Sequence, residues 1–398
     1  MWVPVMKQIQ TFTSTYTADV SGVPSALYEL GGMSIMHDAS GCNSTYNTHD
    51  EPRWYGSKSL VFISGLSEME AIMGDDQKLV DDIVKAAKDL KPRFIAIAGT
   101  PIPMITGCDI AANARVIEAE TGIPTFGIDT NGMHSYVEGA GEALLAYGKA
   151  FIKKDVSKGP SKKVRVNILG ATPIDFSVNG QVESIEKFLE QNGFDVISNF
   201  ALSCNIEKMA NAALADVNLV ISSVGIKLAE YLLSEFKIPY VIGVPYGKKL
   251  KEDIINSLNK AASGESDIIY ASDLNEKLKN QGVYIIGESV TSKSLAKAIY
   301  YKHGITPIVI SGVELGNTFH SDIIKSLKVR ENVALEEKDL HIEDEDEIAV
   351  AIKGARVVIA DPLYKPILSS KTKFAENPHE GFSGRLFRKR IINLVDKF

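Results

Sequence analysis

Only three cysteines occur in 398 residues, Cys42, Cys108 and Cys204, and an odd number spread over so long a chain makes no disulfide framework. A stapled secreted scaffold is excluded, and a reducing cytoplasm is expected. Long apolar runs are also missing: stretches such as 94–98 and 283–286 are strand-sized, far short of the roughly 20 residues a membrane helix needs. Met1 to Tyr16 lacks a basic region followed by an apolar core and a cleavage site, so no export signal is read. Nor is there a basic excess. The formal charge is −7 with no long Lys/Arg cluster, which argues against a surface built to neutralise nucleic-acid phosphates. Neither nucleic acid nor membrane is an expected partner. A hydrolase Gly-x-Ser-x-Gly element is absent. Gly139-Ala140-Gly141 lacks a third glycine and sits inside a helical pattern, and Gly243-Val244-Pro245-Tyr246-Gly247-Lys248 is no Walker sequence, so autonomous nucleotide binding is not supported.

What is present is ordinary globular composition, 45% hydrophobic and 23% charged, in a chain longer than one hydrophobic core usually supports. From about residue 33 onward, short apolar strands alternate with amphipathic helices, the pattern of parallel sheets with crossover helices. Strands are predicted near 33–37, 60–64, 93–98 and 124–127, with helices near 77–90, 109–121 and 135–153. The polar break from Lys153 to Lys163 then introduces strands near 164–169, 195–198, 217–221 and 239–243, and helices near 179–192, 205–213, 225–236 and 249–263. A second polar segment, 277–282, precedes strands near 283–287, 306–311 and 356–360 and a helix near 291–301. The tail 383–397 reads as a basic amphipathic helix. The fold class is therefore α/β, with three Rossmann-like lobes built on parallel sheets: 1–158, 159–278, and 279–398 with the C-terminal helix.

In such sheets ligands bind beyond the carboxyl ends of strands. One loop there is His37-Asp38-Ala39-Ser40-Gly41-Cys42-Asn43. Its glycine lets backbone approach a bulky group, and a Cys42 thiolate could ligate iron; a small thiol packed in a turn would leave the same sequence. A second loop, Gly99 to Asp109, delivers Cys108 to a helix start, where the helix dipole favours a thiolate. Here too a packed, inert cysteine is the plainer reading. Cys204, beside Ser203 as a helix cap, reads as structural. No two cysteines have zinc-finger or ferredoxin spacing. Among the histidines, His37 and His49 flank the Cys42 loop, while His134, His320 and His379 fall in expected loops or near helix starts, where solvated or capping roles are usual.

The same loops carry a family resemblance. His37-Asp38-Ala39-Ser40-Gly41-Cys42 resembles the His-Gly-Pro-x-Gly-Cys loop of the nitrogenase component 1 family, which includes dark-operative protochlorophyllide reductase. Leu66-Ser67-Glu68-Met69-Glu70-Ala71-Ile72-Met73-Gly74-Asp75 is similar to its Leu-x-Glu-x-Asp-x-x-x-Gly-Gly segment. Lys91 to Ile97 resembles the strand before its Thr-Cys-Pro-type loop, and Asn218 to Ser222 with Ile238 to Tyr240 fit the second lobe. The resemblance implies a redox subunit that accepts electrons from an ATP-dependent iron protein. Its iron–sulfur cluster, of [4Fe-4S] type, would be shared at a subunit interface, in a homodimer or with a paralogous component 1 chain. By position Cys42 inherits a cluster-ligand role, with Cys108, His37 and Asp38 as further cofactor or metal ligands. A non-catalytic scaffold for metallocluster or tetrapyrrole-type cofactors, or a metal-free partner subunit, are the other roles the family suggests. Departures bear on this: no cysteine occurs at Ser21 to Ser25 or in Gly99-Thr100-Pro101, and Ser222 stands roughly where true nitrogenase anchors its catalytic cofactor by cysteine. Dinitrogen reduction is accordingly not expected.

Overall fold

The structure, a computed structural model, describes residues 17–39, 41, 43, 51–204, 206–273, 281–313 and 345–398. Cys42, His49 and His320 lie outside the described residues.

Hydrophobic alternation builds the first sheet. Strands β1 (Met33–Met36), β2 (Leu60–Ile63), β3 (Ile95–Ala98) and β4 (Thr125–Ile128) pair in parallel, in the order β2-β1-β3-β4. Successive side chains point to opposite faces, so Met33, Ile35, Ile95 and Ile97 enter one core while Met36, Ala96 and Ala98 enter another. Both faces are covered by helices, as a parallel sheet requires. Helices α1 (Asp19–Leu27) and α2 (Glu68–Met73) precede α3 (Gln77–Leu90), which places Leu79, Val80, Ile83, Val84 and Ala87 on one buried stripe. It stops at Lys91, which takes a left-handed conformation before Pro92. Helices α4 (Pro101–Thr106), α5 (Ile110–Thr121) and α6 (Tyr136–Phe151) complete this lobe.

The second sheet comprises β5 (Arg165–Leu169), β6 (Asp195–Asn199), β7 (Val217–Val220), β8 (Tyr240–Ile242) and β9 (Ile268–Tyr270), in the order β6-β5-β7-β8-β9. Its helices are α7 (Pro173–Phe176), α8 (Gln181–Gln191), α9 (Ile206–Met209), α10 (Ile226–Phe236) and α11 (Gly247–Ala262). The third sheet joins β10 (Val283–Gly287), β11 (Ile308–Ser311), β12 (Val357–Ala360) and β13 (Lys373–Glu376) as β11-β10-β12-β13, with α12 (Ser289–His303) after β10. All pairings are parallel. The α/β class with three parallel-sheet lobes is thus the observed architecture.

Two edge strands escape sequence reading: β13 because an edge needs no fully apolar run, burying none of its four residues completely, and β9 because it is only three residues long. The expected C-terminal helix is corrected. Over 383–397 the chain forms short 3₁₀ turns, Gly384–Leu386 and Arg388–Arg390, and one brief helix, Leu394–Lys397. Tertiary hydrogen bonds override the helical pattern. Arg388 is drawn to Glu380 at 2.5 Å, the Leu394 amide donates to Gln181 Oε1 at 2.8 Å, and Ser184 donates to Asp396 at 2.9 Å. The tail is strapped across α8 instead of coiling on its own bonds. Among the described residues, no helix is long and apolar enough to cross a membrane.

Candidate functional site

Each sheet reverses its strand order between its first and third strands, and in open parallel sheets the crevice beyond the strand ends at such a switch point receives ligands. In the first lobe that crevice opens after β1 and β3. The His37 amide donates to Ala98 O, extending the β1–β3 ladder, so the side chains of His37 and Asp38 emerge where the sheet ends. Thr100, just past β3, donates its hydroxyl to His37 O at 2.8 Å and to Asp38 Oδ1 at 3.1 Å. Asn43 donates to Asp38 Oδ2 at 2.7 Å. Asp38 is consequently engaged in holding its own loop. His37 is buried, and its Nδ1 lies 2.8 Å from Ser64 Oγ, beyond β2. Burial lowers its pKa; Asp76, Asp38 and Glu70 oppose this without cancelling it, so the imidazole is neutral near neutral pH.

Cys108 enters the same crevice from the far side. The N-cap of α5 is the next residue, Asp109, whose carboxylate accepts from the Ala112 amide at 2.7 Å. The helix start therefore does not make Cys108 a thiolate. Burial, joined by the negative charge of Asp76, pushes the thiol up to about 12. Asn113, one turn into α5, donates to both Cys108 Sγ at 3.4 Å and Asp76 Oδ2 at 3.0 Å. Asp76 occupies the N-cap position of α3 yet makes no capping hydrogen bond; the neighbouring Asp75 accepts from Gln77 N instead. One ligand atom from each of His37, Asp76 and Cys108 lies within 4.8 Å of the other two.

The structure thus brings His37 and Cys108 together, with Asp38 in the same loop but turned to Thr100 and Asn43. Cys204 stands apart, half-buried against the main core, its thiol raised to about 12 by burial and by Glu29. Asp76 is the member that sequence reading missed. Its only signal was a second aspartate before a helix, which by itself reads as an ordinary cap.

The other two switch points converge on a second polar cluster, of which sequence reading marked Ser222 and His379 but not the carboxylates they face. Asp175 of α7 accepts from Tyr136 at 2.6 Å, Ser222 at 2.6 Å and Thr172 at 3.0 Å. His379 Nε2 lies 3.4 Å from Asp175 Oδ1. Glu288 caps α12 through the amides of Val290 and Thr291 and reaches across to the Ser223 amide at 3.0 Å. Residues of all three lobes meet here.

Comparison with known proteins gives a consistent picture. A family model described as nitrogenase component 1 type oxidoreductase matches residues 26–360. The nitrogenase molybdenum-iron protein alpha chain of Clostridium pasteurianum is 28% identical over 185 residues, 46% of this chain and 33% of that protein. The nitrogenase iron-molybdenum cofactor biosynthesis protein NifE of the same organism is 23% identical over 365 residues, 84% of this chain and 76% of that protein. A light-independent protochlorophyllide reductase subunit of Crocosphaera subtropica is 21% identical over 229 residues, 56% of this chain and 44% of that protein. The chain thus matches only a third of the alpha chain and under half of the reductase subunit. In fold it is similar to a solved structure described as nitrogenase Cp1 at pH 5, with a TM-score of 0.63 at 16% identity, covering 99% of this chain and 90% of that one.

Proposed function

Since this chain belongs to the nitrogenase component 1 type oxidoreductase family, we propose that it is a redox subunit of that type. It would accept electrons from an ATP-dependent iron protein and act on its substrate beside a second component 1 chain, identical or paralogous. The observation that carries this reading is the position of the His37 loop at the β1/β3 switch point, where ligands of open parallel sheets bind. Cys42 follows in the same loop by sequence.

The donor set limits how an iron–sulfur cluster is held. A cubane takes four protein ligands, thiolates as a rule. This chain has three cysteines, and two of them, Cys108 and Cys204, pack against separate cores. A complete cubane therefore does not fit one chain. Cys42 is left as the thiol to share with a partner subunit, which must bring the remaining ligands. Isolation under anaerobic conditions with the genomic partner, followed by iron and acid-labile sulfide analysis, tests this: both contents should fall in Cys42→Ala. Equal contents in wild type and variant would overturn it.

A second reading, a non-catalytic scaffold or carrier for metallocluster or tetrapyrrole-type cofactor assembly, is favoured by one observation. The similarity to the cofactor biosynthesis protein NifE runs over 84% of this chain, against 46% for the alpha chain. Transfer of bound cofactor to a second protein without turnover would support the scaffold; substrate reduction with the iron protein and ATP would support the redox subunit.

A further inference from the structure

We propose that His37, Asp76 and Cys108 form a binding site for a single divalent transition ion of the zinc class, separate from any cluster drawn on Cys42. The three side chains come from the β1 loop, the start of α3 and the start of α5, elements brought together only by the fold. Nitrogen, oxygen and sulfur donors in one set suit a borderline-soft ion. In tetrahedral zinc sites, metal–ligand bonds of about 2.0–2.3 Å put neighbouring ligand atoms about 3.5 Å apart. Here the three atoms already lie within 4.8 Å of one another, so small side-chain rotations close the site.

Three further features support this inference independently. The first is His37 Nδ1, engaged with Ser64 Oγ, which reserves Nε2 for a metal in the way that a hydrogen bond to one ring nitrogen orients the other. The second is Asp76, whose carboxylate is not taken up in capping α3, a task Asp75 performs, and which lies beside the cysteine. The third is Asn113, whose amide donates to the Asp76 carboxylate and the Cys108 sulfur together, an outer support that holds two ligands in one orientation. A cation would take up the Asp76 charge and bind the Cys108 sulfur as the thiolate. Asp76 and Cys108 are only partly buried, so the fourth tetrahedral position is open to water or to a substrate oxygen.

Cobalt(II) is the probe, because a cobalt–thiolate bond gives a near-ultraviolet charge-transfer band and tetrahedral cobalt gives intense visible bands. Chelator-stripped full-length protein, titrated anaerobically, should develop both bands at one ion per chain and lose them to added zinc. Cys108→Ser should abolish the charge-transfer band, and His37→Ala and Asp76→Asn should lose tight binding. Asn113→Ala should weaken it roughly 10- to 100-fold. Zinc should raise the melting temperature of wild type but not of Cys108→Ser, with far-ultraviolet circular dichroism confirming that each variant is folded. Cys42→Ala should keep every cobalt feature, which separates this test from that of the shared cluster. A charge-transfer band that survives in folded Cys108→Ser, one that disappears in Cys42→Ala, or no band at all in wild type would overturn the proposal.

Discussion

Arg53 shows how much one side chain can carry in this chain. Its guanidinium donates to Glu51 at 2.6 Å, to Glu29 at 3.0 Å, and to the backbone carbonyls of Ser25 and Ala201, and it lies 4.7 Å from the centre of the Tyr28 ring. Both Arg53 and Glu51 are almost wholly buried. Removing one partner of a buried, hydrogen-bonded pair leaves the other charge to bear its desolvation, a loss of about 3–5 kcal/mol. Arg53→Met should therefore lower the urea midpoint sharply, and Arg53→Met with Glu51→Gln should recover part of it; a loss within experimental error would show that the pair is not a structural tie. No local pattern in the sequence marks this contact, because Arg53 and Ala201 are 148 positions apart. Asp76 was hidden for the same reason. A cap residue and a metal-facing carboxylate look alike until α3 and α5 are packed. His37 and Cys108 were visible because strand ends can be read from hydrophobic alternation.

At the scale of elements, the α1–α6 contact turns a weak motif into a packing device. Gly139-Ala140-Gly141 reads poorly as a phosphate loop, and in the fold it lies within α6, where Gly139 presses against α1. A Cβ on Gly139 would meet Asp19 O at 2.0 Å, and one on Gly22 of α1 would meet Tyr136 O at 2.5 Å, whereas at Gly141 the nearest atom, Val224 O, is 3.4 Å away. Backbone cannot yield as a side-chain tip does. Gly139→Ala should thus cost about 1–3 kcal/mol, while Gly141→Ala should be close to neutral or mildly stabilising, since alanine favours the helix. Thermal melts of the two variants decide the matter: equal shifts would mean that close helix approach is not why the glycine is there. Strongly patterned elements such as α3 and β10 were readable to within a residue or two. The tail was not, because its bonds run to α8 and no window of sequence contains both partners.

For the whole molecule, the rhythm of strands and helices was enough to read three parallel-sheet lobes, but not how the lobes are joined. The joint is a buried titratable cluster. His379 faces Asp175 from the second lobe and Glu288 and Asp361 from the third, with Tyr136 of the first lobe and Tyr246 of the second alongside. Burial pulls the His379 pKa down, and the Gly381 amide, donating to Nδ1, also favours the neutral ring. The surrounding carboxylates outweigh both, and the pKa ends above its ordinary value. Glu288 is raised as well, first by burial and then by Asp175, its hydrogen bonds notwithstanding. A group whose folded pKa is raised contributes stability in full below its unfolded pKa and loses it as pH climbs through the folded value. For His379 the loss begins near pH 6.5 and for Glu288 near pH 4.5, each about the unperturbed value. Both act in one direction, so the lobe junction should weaken as pH rises, and the urea midpoint of wild type should fall steadily above about pH 6.5. His379→Gln keeps a polar side chain in the same space and cannot titrate, so its midpoint should fall less steeply over that range. An unchanged slope in His379→Gln would remove His379 from the account and leave the pH dependence to groups outside the junction.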